Sequence, residues 1–342
     1  MADMYHDRFI REMQSGVKGL LQAWGLAPQS DVRLLNISEN ATFIARDAEA
    51  GRAVVIRVHR PGYHTREEIE SELTWIDSLI EDGVISTASP LSLQSGGRIA
   101  AFRHAGEDRL VVGFEFLKGS EPAPENDLKK DFHTLGAITA RLHNHTQRWT
   151  APAGFIRKTW DFESMLGSTP LWGDWRKAMG LDARGREVLE ATAARLRRHL
   201  DIYGKKRDRF GLVHADLRLA NLLVDGQTLS VIDFDDCGFS WFMYDFAAAI
   251  SFIEEDPQIP DLQASWVAGY RSVKPLSAAD EATIPTFIML RRLLLTAWVA
   301  SHAETETAQA LGPAYTQGTL RLAARYLNAT PRSTESERAH DP

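Results

Sequence analysis

Apolar residues recur at helical spacing over residues 5–24, at Phe9, Met13, Val17, Leu20, Leu21 and Trp24, and Gly25 follows as a stop signal. An opening amphipathic helix is expected there. The pattern then changes to short β-type runs at 32–37, 41–46, 53–59, 98–103 and 109–116, broken by Asn, Gly, Asp and Ser. One helical stretch, 65–80, interrupts them. Strands in hairpins with a single inserted helix describe an antiparallel sheet with a helix on one face. From Asp127 onward helical recurrence dominates, over 128–143, 185–200, 241–253, 261–270 and 284–302. The exception is a β-type island at 211–234, where 222–224 and 229–232 flank Asp225-Gly226 and predict a hairpin.

The expected class is α+β, with two lobes: an N-terminal antiparallel sheet with one helix, and a larger, mainly helical C-terminal part. Pro122 and Pro124 mark a connector, so the boundaries fall at 1–118 and 119–330, with a polar, disordered tail at 331–342. Two lobes also suit a length of 342 residues, because single cores rarely grow past about 250.

A formal charge of -7 argues against a nucleic-acid partner, which usually needs a basic face. The single cysteine, Cys237, excludes an internal disulfide framework and points to a reducing cytoplasm. The longest apolar runs, 247–253 and 293–300, fall well short of the roughly 20 residues a membrane helix needs, so no membrane partner is expected. Oligomeric state is not legible.

Candidate chemistry concentrates in His214-Ala-Asp216-Leu-Arg-Leu-Ala-Asn221, with Val231-Ile232-Asp233-Phe234 following 17 residues after Asp216. Phosphoryl transfer needs a carboxylate at the attacking hydroxyl and oxygen ligands for the metal on the phosphates. Asp216 can orient the hydroxyl and take its proton. Asn221 and Asp233 can offer one neutral and one anionic oxygen to Mg²⁺, and the hairpin is expected to bring them side by side. Read blandly, the same residues are turn formers.

These segments, with Val54-Val-Ile-Arg57-Val-His59 and Phe114-Glu115-Phe-Leu117-Lys-Gly119 before them, resemble the aminoglycoside phosphotransferase and choline kinase-like family over about residues 30–300. Within it they look similar to bacterial phosphotransferase enzyme family members near type II homoserine kinase and stress-response kinase A. The resemblance implies a protein-kinase-like fold, ATP and Mg²⁺ as cofactors, and a small-molecule hydroxyl as acceptor. It makes Asp216 the catalytic base and Asn221 and Asp233 the metal ligands, with His214 in support. Asp245 would brace the catalytic loop from a helix start, a role compatible with a helix cap.

On the nucleotide side, strand alternation puts Arg57 on the face opposite Val54, Ile56 and Val58. The family has a lysine here, and arginine grips phosphate differently. Glu68 or Glu72, one turn apart, would brace Arg57, and Glu72 is preferred. The expected phosphate loop, 36–43, contains Asn40 and Thr42 and no glycine. Backbone at Glu115 and Leu117 would read an adenine edge. Ala215 replaces the family's glycine, so the loop adopts an ordinary backbone region or carries strain.

Asp235, Asp236, Glu254, Glu255 and Asp256 either line a pocket for a cationic substrate or form a solvated rim, and Trp160, Trp172, Trp175 and Trp241 either wall that cation or fill core. His143 and His145 read as helix-end histidines rather than metal ligands, and Lys205 to Arg209 as a solvated run. The enzyme class is kinase, small-molecule first. A Ser/Thr protein kinase of the stress-response type and a nucleotide-binding pseudokinase are the alternatives.

Overall fold

The computed structural model describes residues 7–37 and 40–329. Ser38 and Glu39 of the expected phosphate loop, and the 331–342 tail, lie outside the described residues. The chain forms two compact units, the first running to Ser120 and also taking Thr150–Arg157 and Leu223–Asp235. The second unit comprises Glu121–Trp149, Lys158–Leu222 and the chain from Asp236 onward.

In the first unit, α1 (Asp7–Leu20) runs into a short 3₁₀ turn, Leu21–Trp24, closed by Gly25 in the left-handed region at φ 70°. The strands are β1 (Asp31–Ile37), β2 (Ala41–Asp47), β3 (Arg52–Val58), β4 (Ile99–His104) and β5 (Glu107–Glu115). They pair antiparallel in the order β1-β2-β3-β5-β4. Alternation sorts the sheet's two faces. Val54, Ile56 and Val58 join Phe43, Met13, Val17 and Trp24 in one apolar cluster, so α1 covers that face. The opening helix expected from the sequence is α1, and it packs on the sheet.

The helix α2 (Arg66–Glu81) begins where Thr65 forms a capping box with Glu68: Thr65 Oγ1 accepts from the Glu68 amide at 3.2 Å, and Glu68 Oε2 from the Thr65 amide at 2.8 Å. Two of the helix's orphan donors are satisfied, which stabilises its start by about 1 kcal/mol. Its buried face includes Glu72, Trp75 and Leu79.

The second unit opens with α3 (Lys129–Arg148), α4 (Phe162–Leu166), α5 (Ala183–Tyr203) and β6 (Phe210–Val213). The chain then contributes the hairpin of β7 (Leu222–Asp225) and β8 (Thr228–Val231), turning at Gly226 as the sequence predicts. Next come β9 (Gly238–Trp241), α6 (Tyr244–Ala249), α7 (Ile259–Arg271), α8 (Ala278–Glu281), α9 (Ile284–Ser301) and α10 (Glu306–Asn328). The helix expected over 241–253 is shorter, with Trp241 closing β9, which pairs antiparallel with β6, and α6 spanning Tyr244–Ala249. A buried apolar run does not distinguish strand from helix by periodicity. The sequence reading also passed over α10, whose pattern is interrupted at Gly312-Pro313.

The crossing of α3 and α7 is unusually close. A Cβ at Gly136 would lie 2.0 Å from the Trp266 carbonyl oxygen, and one at Gly269 would lie 1.8 Å from the His133 carbonyl oxygen. Only glycine permits such an approach. Residues 278–301 are long and apolar enough to cross a membrane, but they are largely buried within the molecule, and α9 serves as the second unit's central helix.

Candidate active site

Arg57 organises the first unit's polar centre. Its strand neighbours send their side chains to the α1 face, which turns Arg57 the other way, toward α2. It is 4 % exposed. Its Nη2 donates to both oxygens of Glu72 at 2.6 and 2.7 Å, and its Nη1 to Asp233 Oδ1 at 3.1 Å. Of the two glutamates one turn apart, the structure brings Glu72 to Arg57, and Glu68 caps the helix. Burial works against the guanidinium's charge, but Glu72, Asp235 and Asp233 outweigh it and hold Arg57 more firmly protonated than usual.

Asp235 is also buried here. Asn40 Nδ2 donates to its Oδ2 at 2.8 Å, and ring nitrogens of His59 and His64 each lie 3.4 Å from one of its oxygens. Burial would raise its carboxyl, yet Arg57, His64 and His59 hold it well below the ordinary range. Asn40 Oδ1 meanwhile accepts from the Arg60 amide at 3.1 Å. Asn40 and Asp235, expected at phosphate and substrate, are thus bonded to each other. Thr42 is the cross-strand partner of Arg57 and shares its face. The Glu115 amide donates to the Ser89 carbonyl at 2.9 Å, and Leu117 lies two residues beyond β5, half-buried. Asp233 is exposed and adopts φ 63°, which an aspartate tolerates better than most residues.

The second unit holds the His214 to Asn221 segment. Asn221 Nδ2 donates to both the carbonyl oxygen and Oδ2 of Asp216, each at 2.8 Å. Those bonds assign the amide's nitrogen end and leave its oxygen for another partner. Arg218 Nε reaches Asp216 Oδ2 at 3.2 Å, and Arg291 Nη2 reaches Oδ1 at 2.6 Å. Burial pushes the Asp216 carboxyl up, but Arg218, Arg291 and His214 outweigh it and hold it below its usual value. The Asp216 amide donates to Nδ1 of the fully buried His214 at 3.3 Å.

Ala215 sits at φ 67°, the left-handed region that costs an L residue about 1–2 kcal/mol. The loop therefore takes the strained of the two expected courses. Two bonds hold it there: the Ala215 amide donates to Asp245 Oδ1 at 2.8 Å, and Arg291 Nη1 donates to the Ala215 carbonyl at 3.2 Å. Asp245 lies in the first turn of α6 and makes no cap, since the capping position is Met243. Its other oxygen is 2.9 Å from His143 Nε2, and His143 Nδ1 is 3.0 Å from the Tyr270 hydroxyl. Burial holds His143 below its ordinary pKa, against the pull of Asp245.

Sequence reasoning took His143 only for a helix-end histidine and passed over Arg291. His143 gave a signal, a histidine on the apolar face of its helix; Arg291 gave only an arginine inside an apolar run. The tryptophans at 160, 172, 175 and 241 are all buried, and Trp241 Nε1 donates to the Gly204 carbonyl at 2.8 Å. Glu254 pairs with Arg292 at 2.6 Å and Glu255 with Arg321 at 2.9 Å, so neither forms an open acidic wall. Asp236 remains half-buried, near Arg291 and Tyr244.

Comparison with known proteins places kinases among the chain's relatives. A solved microcompartment-associated aminopropanol kinase is 47% identical, with a TM-score of 0.85 over 91% of this chain and 96% of that one. The amicoumacin kinase hAmiN, solved with AMP-PNP, Ca²⁺ and Ami, superposes with a TM-score of 0.74 at 23% identity, over 93% of this chain and 94% of that one. Homoserine kinase of Gluconobacter oxydans is 30% identical over 280 residues, 78% of this chain and 82% of the relative. The protein-kinase-like fold expected from the sequence is the fold of these neighbours. Residues 31–276 match the phosphotransferase enzyme family model, and with kinases among its relatives in both sequence and structure, the chain belongs to that family and is a kinase.

Proposed function

We propose that the protein uses ATP and Mg²⁺ to phosphorylate the hydroxyl of a small amino alcohol. The observation that carries this reading is the Asp216 and Asn221 pair. One amide fixes the aspartate with its nitrogen and keeps an oxygen available, as a base beside a metal ligand requires. Asn221 and Asp233 are the metal ligands that the family resemblance implies, and each offers an oxygen, one neutral and one anionic, suited to a hard cation that keeps water and phosphate oxygens as further ligands. When bound, the ion neutralises charge on the phosphates.

In the proposed reaction the acceptor oxygen attacks the γ-phosphorus and the bond from phosphorus to the bridging oxygen of ADP breaks. The hydroxyl proton passes to Asp216. The products are ADP, the phosphate ester and, after release from Asp216, one proton. Arg57 serves less as a phosphate grip than as a strut, because its Nη atoms are already bonded to Glu72 and Asp233. The acceptor class follows the likeness to the aminopropanol kinase, and Asp236 supplies a half-buried carboxylate for an ammonium group.

An ADP-release assay across amino alcohols, hydroxy amino acids, choline, sugars and aminoglycosides tests the proposal. Turnover should be highest with short amino alcohols such as aminopropanol. Strong preference for a neutral sugar would remove the cationic acceptor, and transfer only to protein hydroxyls would favour the protein-kinase alternative.

A further inference from the structure

We propose that Arg291, from the middle of α9, is a positioning residue for phosphoryl transfer that fixes the carboxylate of Asp216 toward the acceptor hydroxyl. The inference rests on the assignment of Asp216 as the group that receives the acceptor proton.

Every nitrogen of the Arg291 guanidinium is used, and each bond points at the same loop or its supports. Nη2 holds Asp216 Oδ1 at 2.6 Å, and Nη1 holds both the Ala215 carbonyl at 3.2 Å and the Tyr244 hydroxyl at 3.0 Å. Nε donates to Ser251 Oγ at 3.1 Å. The planar fork thus ties the backbone of one residue to the side chain of the next, which a lysine's single nitrogen does not reproduce. Phe252, directly after Ser251, adopts φ 72°, an outlier for so bulky a residue. The Trp172 ring lies 5.1 Å from the guanidinium carbon, and Arg291 is 2 % exposed.

Burying a charge in this way is costly unless the fork is fully paired. Asn221 and Arg218 already bond Asp216 Oδ2, and among the described residues Arg291 is the side chain seen on Oδ1, so it fixes the second oxygen and with it the rotation of the carboxylate plane. A carboxylate displaced by about 1 Å can lose a hundredfold in rate.

Steady-state ADP release by Arg291→Ala and Arg291→Lys, alone and in an Asp216→Asn background, tests the proposal. Arg291→Ala should lower kcat about 100-fold while KM for ATP and acceptor stay within threefold, and guanidinium ion should restore at least tenfold. Arg291→Lys should lose about tenfold in kcat. In the Asp216→Asn background, Arg291→Ala should change residual turnover less than twofold. Wild-type kcat in either variant overturns the proposal, as does a loss confined to KM, or an equal loss with and without Asp216. If Arg291→Ala does not fold, Arg291→Lys decides alone by the same criteria. The series is also run with water as acceptor, by slow ATP hydrolysis, so a failed amino-alcohol reading appears as missing acceptor turnover while the Arg291 comparison is still read.

Discussion

Glu72 gives both carboxylate oxygens to a single nitrogen of Arg57, and the other terminal nitrogen of that guanidinium reaches Asp233, 176 residues along the chain. Strand β3, helix α2 and the segment after β8 are therefore joined through one buried cation.

Removing the glutamate leaves that cation with weaker partners. Glu72→Ala should destabilise the protein by about 3 kcal/mol, the usual cost of stripping one partner from a buried pair. KM for ATP should rise several-fold as Asp233 loses its anchor. Urea denaturation and ADP-release kinetics check both, and unchanged values would mean that Asp235 alone suffices for Arg57.

Ala215 makes a contrary prediction of near neutrality. Ala215→Gly relieves about 1–2 kcal/mol of left-handed strain but adds about 0.5–1 kcal/mol of backbone freedom to the unfolded chain. Stability should change by less than about 1 kcal/mol, with kcat preserved. Asp245→Ala removes the acceptor that holds Ala215 and should cost about 2–3 kcal/mol and most of kcat, because a buried amide is left unsatisfied. Thermal melts of the two variants, read together, separate strain from anchoring.

His143 predicts a pH dependence of stability. Its pKa in the fold lies below the ordinary value, because burial disfavours the charged ring. The unfolded chain takes up that proton near pH 6.5, so acid favours unfolding. The contribution is complete above about pH 6.5 and is lost as pH falls toward the folded value. His143→Gln should flatten the fall in Tm between pH 7.5 and 5.5. His59, held low by burial and by Arg57, leaves a residual slope. Equal slopes in variant and wild type would count against a neutral His143.

Asp236→Asn should raise KM for an amino alcohol about tenfold and leave KM for ATP alone, a desolvated charge pair contributing on this order. An equal effect on a neutral alcohol would show that the carboxylate shapes the site rather than pairing with ammonium.

The sequence carried the local patterns well and the long-range pairings poorly. The strand alternation around Arg57, the turn at Asp225-Gly226 and the spacing of Asp216 and Asn221 each depend on neighbours within a few residues. By contrast, Arg291 meets Asp216 across 75 residues and His143 meets Asp245 across 102. Nothing local marks those pairs. Asp235 illustrates the same limit: a run of acids after Asp233 suggested an anionic wall, and only the arrival of Asn40, His59 and His64 shows it to be buried. The helix expected over 241–253 is cut to Tyr244–Ala249 for a different reason, since Trp241 to Ile250 is buried on every side and has no polar face to reveal its period.

The paired glycines where α3 meets α7 have a reach beyond their own helices. His143 and Tyr270 sit on those two helices and touch only because the backbones do. A methyl group added at position 136 or 269 would wedge the helices apart and slacken the grip of Tyr270 on His143, and through Asp245 the loop ahead of Asp216. Such an enzyme would keep every residue of its chemistry and still be heat-sensitive in turnover, with the injury a helix away from the symptom.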